Sequence, residues 1–95
     1  MYELAAKAAL EEAVEQKKFV SIRIEDEDTH LDVQLNCVLD SVDLDMDNKR
    51  IHLVSGNNKL YWFNYTKIEE NNMPRDAAKF YIRTRTSCVT VSIPH

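Results

Sequence analysis

The first part of the chain has an apolar pattern with the period of a helix. Residues 3–17, ELAAKAALEEAVEQK, contain no glycine or proline and consist mostly of strong helix formers. The apolar positions recur on one side at helical spacing; they are Ala6, Ala9, Leu10, Ala13 and Val14. The pattern predicts a helix whose core-facing side is mostly alanine, so it allows close packing but buries little surface.

From Phe19 onward the apolar positions alternate, which is the pattern of a strand with one buried face. The segment FVSIRIE sets three apolar side chains on one face: Val20, Ile22 and Ile24. Asp26–Thr29 is polar and supplies the turn that ends this first strand.

The second strand changes phase part-way along. It begins near His30, and its apolar side chains occupy odd positions at first and even positions later. The odd set is Leu31, Val33, Leu35 and Cys37, and the even set is Val42, Leu44 and Met46. Because a shift of one residue turns every side chain to the other face, Val38–Ser41 is predicted to contain a bulge, a sharp bend or a break.

Two further strands are predicted to form a hairpin. Lys49–Ser55 and Lys59–Tyr65 flank the turn Ser55-Gly56-Asn57-Asn58, which contains the one glycine of the chain.

The last part of the chain is predicted to be a polar connection followed by bent strand structure. Lys67–Asp76 is polar, contains Pro74 and has Ile68 as its aliphatic anchor. The alternation of Lys79–Ile93 changes phase across Thr84–Ser87, so this segment is either one bent strand or two short ones.

These elements predict a single domain over residues 1–95 in the α+β class, mostly β. A chain of 95 residues supports one core. A helix followed by about five short, bent antiparallel strands is the order of small barrels like the SH3 and Sm domains, in which closure hides the sheet edges.

Composition favours a folded cytoplasmic protein, with 44% hydrophobic and 29% charged residues. No apolar run is long enough to span a bilayer, and the first residues lack the pattern of a secretory signal. Cys37 and Cys88 lie far apart within apolar runs and outside any metal-binding spacing, so they are predicted to be small buried thiols. The alternative is a disulfide, which a reducing compartment would not retain.

Charge is unevenly divided along the chain. Residues 1–47 hold thirteen acids and four bases, a net charge of −9, whereas residues 48–95 hold eight bases and three acids, a net charge of +5. One interpretation is that opposite charges face each other across strands and mostly cancel. The other is a dipolar surface that steers a partner.

No residue pattern indicates catalysis, a cofactor or a metal. Asp43, Asp45 and Asp47 begin like a calcium loop, but the sixth position is Asn48 and the twelfth is Val54, where glycine and glutamate are needed. The three histidines are isolated, and a chain with one glycine lacks a phosphate-binding loop. We therefore expect a protein that is not an enzyme.

Two groups of residues are candidate surfaces. Aromatic and basic side chains on the fourth and last strands could contact a protein partner or stack on single-stranded nucleic acid; they are Tyr61, Phe63, Tyr65, Tyr81, Arg83 and Arg85. Carboxylates could form an acidic face that mimics nucleic acid; they are Glu25, Asp26, Glu27, Asp28, Asp40, Asp43, Asp45 and Asp47.

The segment Leu10–Glu70 resembles the YolD-like proteins, a bacterial and phage family with an Sm-like barrel. The features that match are AVEQKKFVSIRI, then VLDSVDLDMDNKRIHLV, then YTKIEE. This helix-then-barrel order is also reminiscent of WYL domains and of a small Sm-like inhibitor of the terminator Rho. Family members usually carry a glycine where Cys37–Asp40 stands, and the basic last strand has no counterpart in them.

The resemblance implies a regulatory or inhibitory binding module of a bacterium or its phage. Together with the small size, the lack of a catalytic pattern and the uneven charge, this resemblance makes a non-catalytic protein that acts through protein–protein interaction the leading hypothesis. One alternative is binding of RNA or single-stranded DNA through the aromatic and basic strands, which the net charge of −4 opposes. Another is an acidic decoy that blocks a DNA-binding enzyme. The oligomeric state is not determined by the sequence, and a homo-oligomer formed by strand pairing at an exposed edge is one possibility.

Overall fold

The computed structural model describes residues 2–55, 60–71 and 77–94, and for 60–63, 71 and 77 it describes the backbone alone. Within these residues, one helix is followed by seven strands. They are α1 (Tyr2–Glu15), β1 (Phe19–Asp26), β2 (Asp32–Asp45), β3 (Arg50–Ser55), β4 (Leu60–Asn64), β5 (Lys67–Asn71), β6 (Ala77–Arg83) and β7 (Ser87–Pro94).

The strands form one curled antiparallel sheet in the order β4-β3-β2-β1-β7-β6-β5. Its edge strands, β4 and β5, are consecutive in the chain and are joined by Tyr65 and Thr66. The Tyr65 N–H donates to the Lys49 carbonyl (3.0 Å) on one side, and the Thr66 N–H donates to the Arg83 carbonyl (2.7 Å) on the other. The two edges therefore meet at this corner.

The predicted α+β class and its mostly β character are confirmed, but the predicted five-stranded barrel is wrong in detail. The sheet is a half-barrel. It has seven strands, or six if β4 and β5 are counted as one strand bent at Tyr65 and Thr66.

The helix packs its predicted side into the sheet. Ala6, Leu10 and Ala13 are buried, Ala9 and Val14 pack partly against the core, and α1 contacts β2, β5 and β7. With mostly alanine on this side, the helix axis can approach the strands closely.

The helix ends two residues earlier than predicted, in a left-handed turn. The Lys18 N–H donates to the Ala13 carbonyl (3.0 Å) and the Lys17 N–H to the Val14 carbonyl (3.2 Å), which is a Schellman motif. Lys17 has a φ of 54° at the position where glycine is usual. The chain thus places a lysine in a conformation that a Cβ atom disfavours.

The predicted irregularity of the second strand is confirmed as a β-bulge. Leu39 pairs with Ser55 and Ser41 pairs with Val54, so Asp40 is the extra residue. The bulge lets Leu39 and Leu44 both face the core although one is odd-numbered and the other even-numbered. β1 also alternates as predicted, with Val20 and Ile22 buried.

The predicted β3–β4 hairpin is confirmed in its pairing, while Gly56, Asn57 and Asn58 lie outside the described residues. The prediction of a polar connection after Lys67 is wrong for its first part. Residues 67–71 form β5, which pairs with β6 and buries Ile68. The last segment is two strands, β6 and β7, which pair as a hairpin.

One hydrophobic cluster joins the helix to the sheet. Its largest fully buried side chain is Phe80 on β6, and Leu10 on α1 is the next. Tyr65, at the corner between the two sheet edges, also lies in this core and is 4% exposed.

Candidate interaction surfaces

The outward side of β6, β7, β1 and β2 forms a shallow polar depression of about 320 Å³. We call it the Tyr81 face, and it is lined by Ser21, Arg23, Glu25, Gln34, Lys79, Tyr81, Thr90 and Ser92. Strand register brings these residues together, because Arg23 pairs with Gln34 on one side and with Thr90 on the other, and Thr90 pairs with Tyr81. Alternation turns all of them away from the core.

Arg23 on this face is held by two carboxylates. Its Nε and Nη2 donate to Asp32 Oδ1 (3.0 Å) and Oδ2 (2.8 Å), and Glu25 Oε1 lies 3.6 Å from Nε. The hydrogen bonds from Arg23 hold the pKa of Asp32 below its ordinary value, and the same contact raises the pKa of Arg23. A bidentate pair of this kind fixes the guanidinium plane across the two strands.

A second ion cluster lies beside the Tyr81 face. Arg83 Nε donates to Glu69 Oε1 at 2.7 Å, and Lys67 Nζ lies 3.7 Å from the same oxygen. The hydrogen bond from Arg83 lowers the pKa of Glu69, and the carboxylate raises the pKa of Arg83. Each of the four ion pairs within the described residues thus joins groups from the same half of the chain.

The charge of the two halves therefore does not cancel through these ion pairs. Charged groups of the two halves pair in register at the β2–β3 hairpin, where Asp45 lies opposite Arg50 and Asp43 lies opposite His52. These four side chains line a small cleft. Hydrogen bonds from Asn48, and then one from the Asp47 N–H, lower the pKa of Asp45, and the charge of Arg50 adds a smaller contribution in the same direction.

The structure separates the members of the predicted aromatic and basic surface. Tyr81 lies on the Tyr81 face and Arg83 beside it, whereas Arg85 is exposed in the β6–β7 turn, outside the alternation of either strand. The prediction that Tyr65 lies on this surface is wrong, because its ring is buried in the core. Tyr61 and Phe63 pair through their backbones with Leu53 and Ile51, and their side chains lie outside the described residues.

The predicted acidic face is divided between the two ends of β2. Glu25, Asp26, Glu27 and Asp28 lie at the β1–β2 end, and Asp43, Asp45 and Asp47 lie at the β2–β3 end. Asp40 is exposed at the bulge between them. Since β2 has 14 residues, the two groups are far apart along the sheet.

Two of these acids have a structural role in turns of the same design. Asp26 Oδ1 accepts from the N–H groups of Asp28 (2.9 Å) and Thr29 (3.3 Å). Asp45 Oδ1 accepts likewise from Asp47 and Asn48, both at 3.2 Å. Each turn ends in a left-handed residue, His30 or Lys49, with φ of 57° and 52°. Asp26 and Asp45 therefore each form an Asx turn, and this structural role accounts for a carboxylate at both positions without a bound ligand.

The described residues contain no group of three or more histidine, cysteine or acidic side chains that could hold a metal ion. Neither cysteine is in a disulfide, and both Cys37 and Cys88 are half-buried rather than buried. Among the described residues no helix is long and apolar enough to cross a membrane.

Sequence reasoning missed Arg23, Asp32 and Glu69 as members of a shared surface. The alternation of FVSIRIE turns Arg23 outward, and the short turn after β1 places Asp32 nearby, so the first ion pair had a local signal. Glu69 has no such local signal, because its segment is polar and is predicted to be a connection rather than a strand.

No family model matches the chain, and no curated protein and no solved structure shows a significant similarity to it. The resemblance to the YolD-like proteins therefore rests on the quoted residues alone.

Proposed function

We propose that the protein is a non-catalytic binding module that engages another protein through the Tyr81 face. The observation that carries this proposal is a polar sheet face, built around a half-buried tyrosine, whose arginine is already neutralised by neighbouring carboxylates. Such a surface can be covered by a partner without leaving that charge unpaired.

The chemistry of the Tyr81 face suits a protein partner. Tyrosine and arginine are enriched where binding energy concentrates, since each offers a broad contact surface and a polar end. The face also carries hydroxyl and amide groups, on Ser21, Thr90 and Gln34. These groups can donate hydrogen bonds to a peptide surface and accept hydrogen bonds from it.

Binding of RNA or single-stranded DNA is the second candidate, and one observation favours it. Lys79 on the face and Arg85 in the β6–β7 turn form no ion pair within the described part of the chain, so they could meet phosphates while Tyr81 stacks on a base. Against it, Arg23 and Arg83 are both held by carboxylates, which would have to compete with phosphate.

The acidic decoy has less support from the geometry. Its carboxylates are divided between the ends of β2, and Asp26 and Asp45 are engaged in turns. Regulation or inhibition of a bacterial machine is the form of protein binding that the YolD-like resemblance implies. This regulatory role is supported by that resemblance alone, and identification of the partner tests it.

The experiment is affinity capture from a lysate of the source cells, with and without nuclease, using the wild type and face variants. Tyr81→Ala removes the ring, and Thr90→Arg places a bulky cation at the centre of the face. Matched controls are Glu11→Ala and Glu15→Arg, at exposed positions of the helix. Circular dichroism and the unfolding midpoint of each variant establish that it is folded.

We expect a stoichiometric protein that survives nuclease, is retained by both controls and is lost from both face variants. Titration of the purified partner then gives the change in Kd. Nucleic acid alone, or proteins that disappear with nuclease, would replace the proposal by the second candidate. Equal retention by all variants would exclude the Tyr81 face.

A further inference from the structure

A mostly apolar groove of about 140 Å³ lies between the helix and the ends of β6 and β7. Within the described residues, its apolar lining consists of Ala9, Ala13, Ala78, Ile93 and Pro94. An apolar cavity of about 150 Å³ is large enough to hold a benzene ring. The groove therefore has room for the ring of one phenylalanine.

The most exposed large apolar side chain that the structure describes lies next to this groove. It is Phe19, the first residue of β1, which is 68% exposed. It directly follows Lys18, which also lines the groove. Val38, the partner of Phe19 in register on β2, is half-buried and extends the apolar surface. Aromatic side chains of this kind are enriched in the buried centre of protein interfaces.

Phe19 and the groove lie on opposite sides of the sheet, at the same end of its strands. Val20 is buried, so Phe19 projects from the outer side, whereas Ile93 faces the helix on the inner side. A twofold axis that runs along the strands exchanges these two sides. A second copy placed end to end thus brings its Phe19 to the groove of the first copy, and its own groove to the Phe19 of the first.

We propose that two copies of the chain form an end-to-end twofold dimer in which Phe19 of each copy fills the groove of the other. Both contacts form together, because the twofold operation that makes one also makes the other. Each contact removes an exposed aromatic ring and the apolar lining of a groove from water, which is the main source of stability in such an interface.

Charge also favours a second copy as the occupant. The lining of the groove includes one acid, Glu12, and one base, Lys18. Glu12 Oε1 accepts a hydrogen bond from Gln16 Nε2 (3.0 Å), and a carboxylate can accept from further donors. When Phe19 enters the groove of the other copy, the Lys18 that precedes it comes close to the Glu12 of that groove. The two copies therefore meet with acid against base at each contact.

The dimer is independent of the Tyr81 face as a binding surface. Phe19 lies at the start of β1, whereas Tyr81 and Thr90 lie in the row of Arg23, four residues farther along that strand. Because each contact rests on a single ring and one pair of charges, the dimer is expected to depend on concentration.

The test combines removal of the ring with an exchange of charges. Phe19→Ala removes an exposed side chain, so the fold of one copy tolerates it, and it is expected to weaken the dimer roughly tenfold or more. Glu12→Lys and Lys18→Glu each set like charges against one another and should also weaken it. An equimolar mixture of these two variants should restore a dimer, since each contact then joins lysine to glutamate.

Sedimentation equilibrium measures association against the monomer mass of 11.1 kDa, and circular dichroism establishes that each variant is folded. The wild type is expected to approach twice this mass, and not to exceed it, at concentrations up to about 1 mM. Leu31→Ala is the matched control and keeps the wild-type affinity, because Leu31 is 52% exposed in the turn at the opposite end of β1.

Three results would overturn the proposal. The first is a wild type that stays monomeric, which would leave a segment of another protein as the occupant to test. The second is association that continues beyond two copies, since a twofold contact closes. The third is a Phe19→Ala variant that dimerises like the wild type.

Discussion

The Tyr65 hydroxyl donates a 2.7 Å hydrogen bond to Glu3 Oε2 and so ties the first turn of the helix to the corner where the sheet edges meet. The two residues are 62 positions apart. Tyr65 is buried, and its own N–H binds the Lys49 carbonyl of the strand connection on the far side. One residue thus links α1, the β2–β3 turn and the β4–β5 corner.

Loss of this hydrogen bond should destabilise the fold without disturbing packing. We expect Tyr65→Phe to lower the free energy of unfolding by about 1–3 kcal/mol, since the bond goes to a charged acceptor. Urea denaturation followed by circular dichroism measures the change. Tyr2→Phe, at a tyrosine that is 46% exposed, is the matched control and should have no effect. Equal effects of the two variants would show that the hydroxyl contact is not the cause.

Tyr65 should also make the fold sensitive to alkali. Burial, and then the hydrogen bond to Glu3, raises the pKa of Tyr65 above its ordinary value of about 10. The folded state therefore keeps the proton after the unfolded chain has lost it. The free energy of unfolding should fall as the pH rises above about 10, the ordinary tyrosine pKa, and Tyr65→Phe should remove this part of the slope.

Ultraviolet absorbance of tyrosinate offers a direct measurement of the same effect. In the folded protein, Tyr65→Phe should leave the absorbance rise near the ordinary tyrosine pKa unchanged. If the variant loses part of that rise, Tyr65 ionises near the ordinary tyrosine pKa in the folded protein and the prediction is wrong.

Substitution of Lys17, the left-handed residue after the helix, should be able to raise the stability of the fold. Lys17 has a φ of 54° in the Schellman motif, where glycine avoids the clash of a Cβ atom. We expect Lys17→Gly to raise the free energy of unfolding by about 0.5–1 kcal/mol and Lys17→Val to lower it. Thermal and urea unfolding of both variants test the order. A loss of stability in Lys17→Gly would contradict the strain argument.

The Arg23–Asp32 pair predicts a pH dependence in acid. Arg23 holds the pKa of Asp32 below its ordinary value of about 3.9. The contribution to stability is therefore present above that value and is lost as the pH falls through the lower pKa of the folded state. In Arg23→Gln, the pKa of Asp32 measured by carboxyl NMR should return to its ordinary range. Arg85→Gln is the control, and an equal change there would show that the effect is not local.

Local patterns determined much of this fold. The helix, β1 and the β3–β4 pairing follow from periods of 3.6 and 2, because amphipathic segments bury one side whatever their neighbours are. An irregularity within residues 38–41 was also visible, since the apolar positions change phase between Cys37 and Val42, and the structure shows that it is a bulge at Asp40.

Other features needed the tertiary structure because their cause lies far away in the chain. The segment KIEEN has one apolar residue, Ile68, and becomes β5 only because β6 supplies its ladder. Tyr65 could not be placed by alternation, since both faces of the fourth strand carry aromatic or aliphatic side chains. Its burial was decided by the corner that it closes.

The candidate surfaces were also determined partly by the sequence and partly by the tertiary structure. The sequence by itself determined that Tyr81 and Arg83 alternate with core residues, and that the two halves differ in charge. Only the tertiary structure decided that β7 lies between β1 and β6, which brings Arg23, Thr90 and Tyr81 into one row. It also separated the acidic residues along β2. Strand order arises from contacts between distant segments, and such contacts leave no periodic signal in either segment.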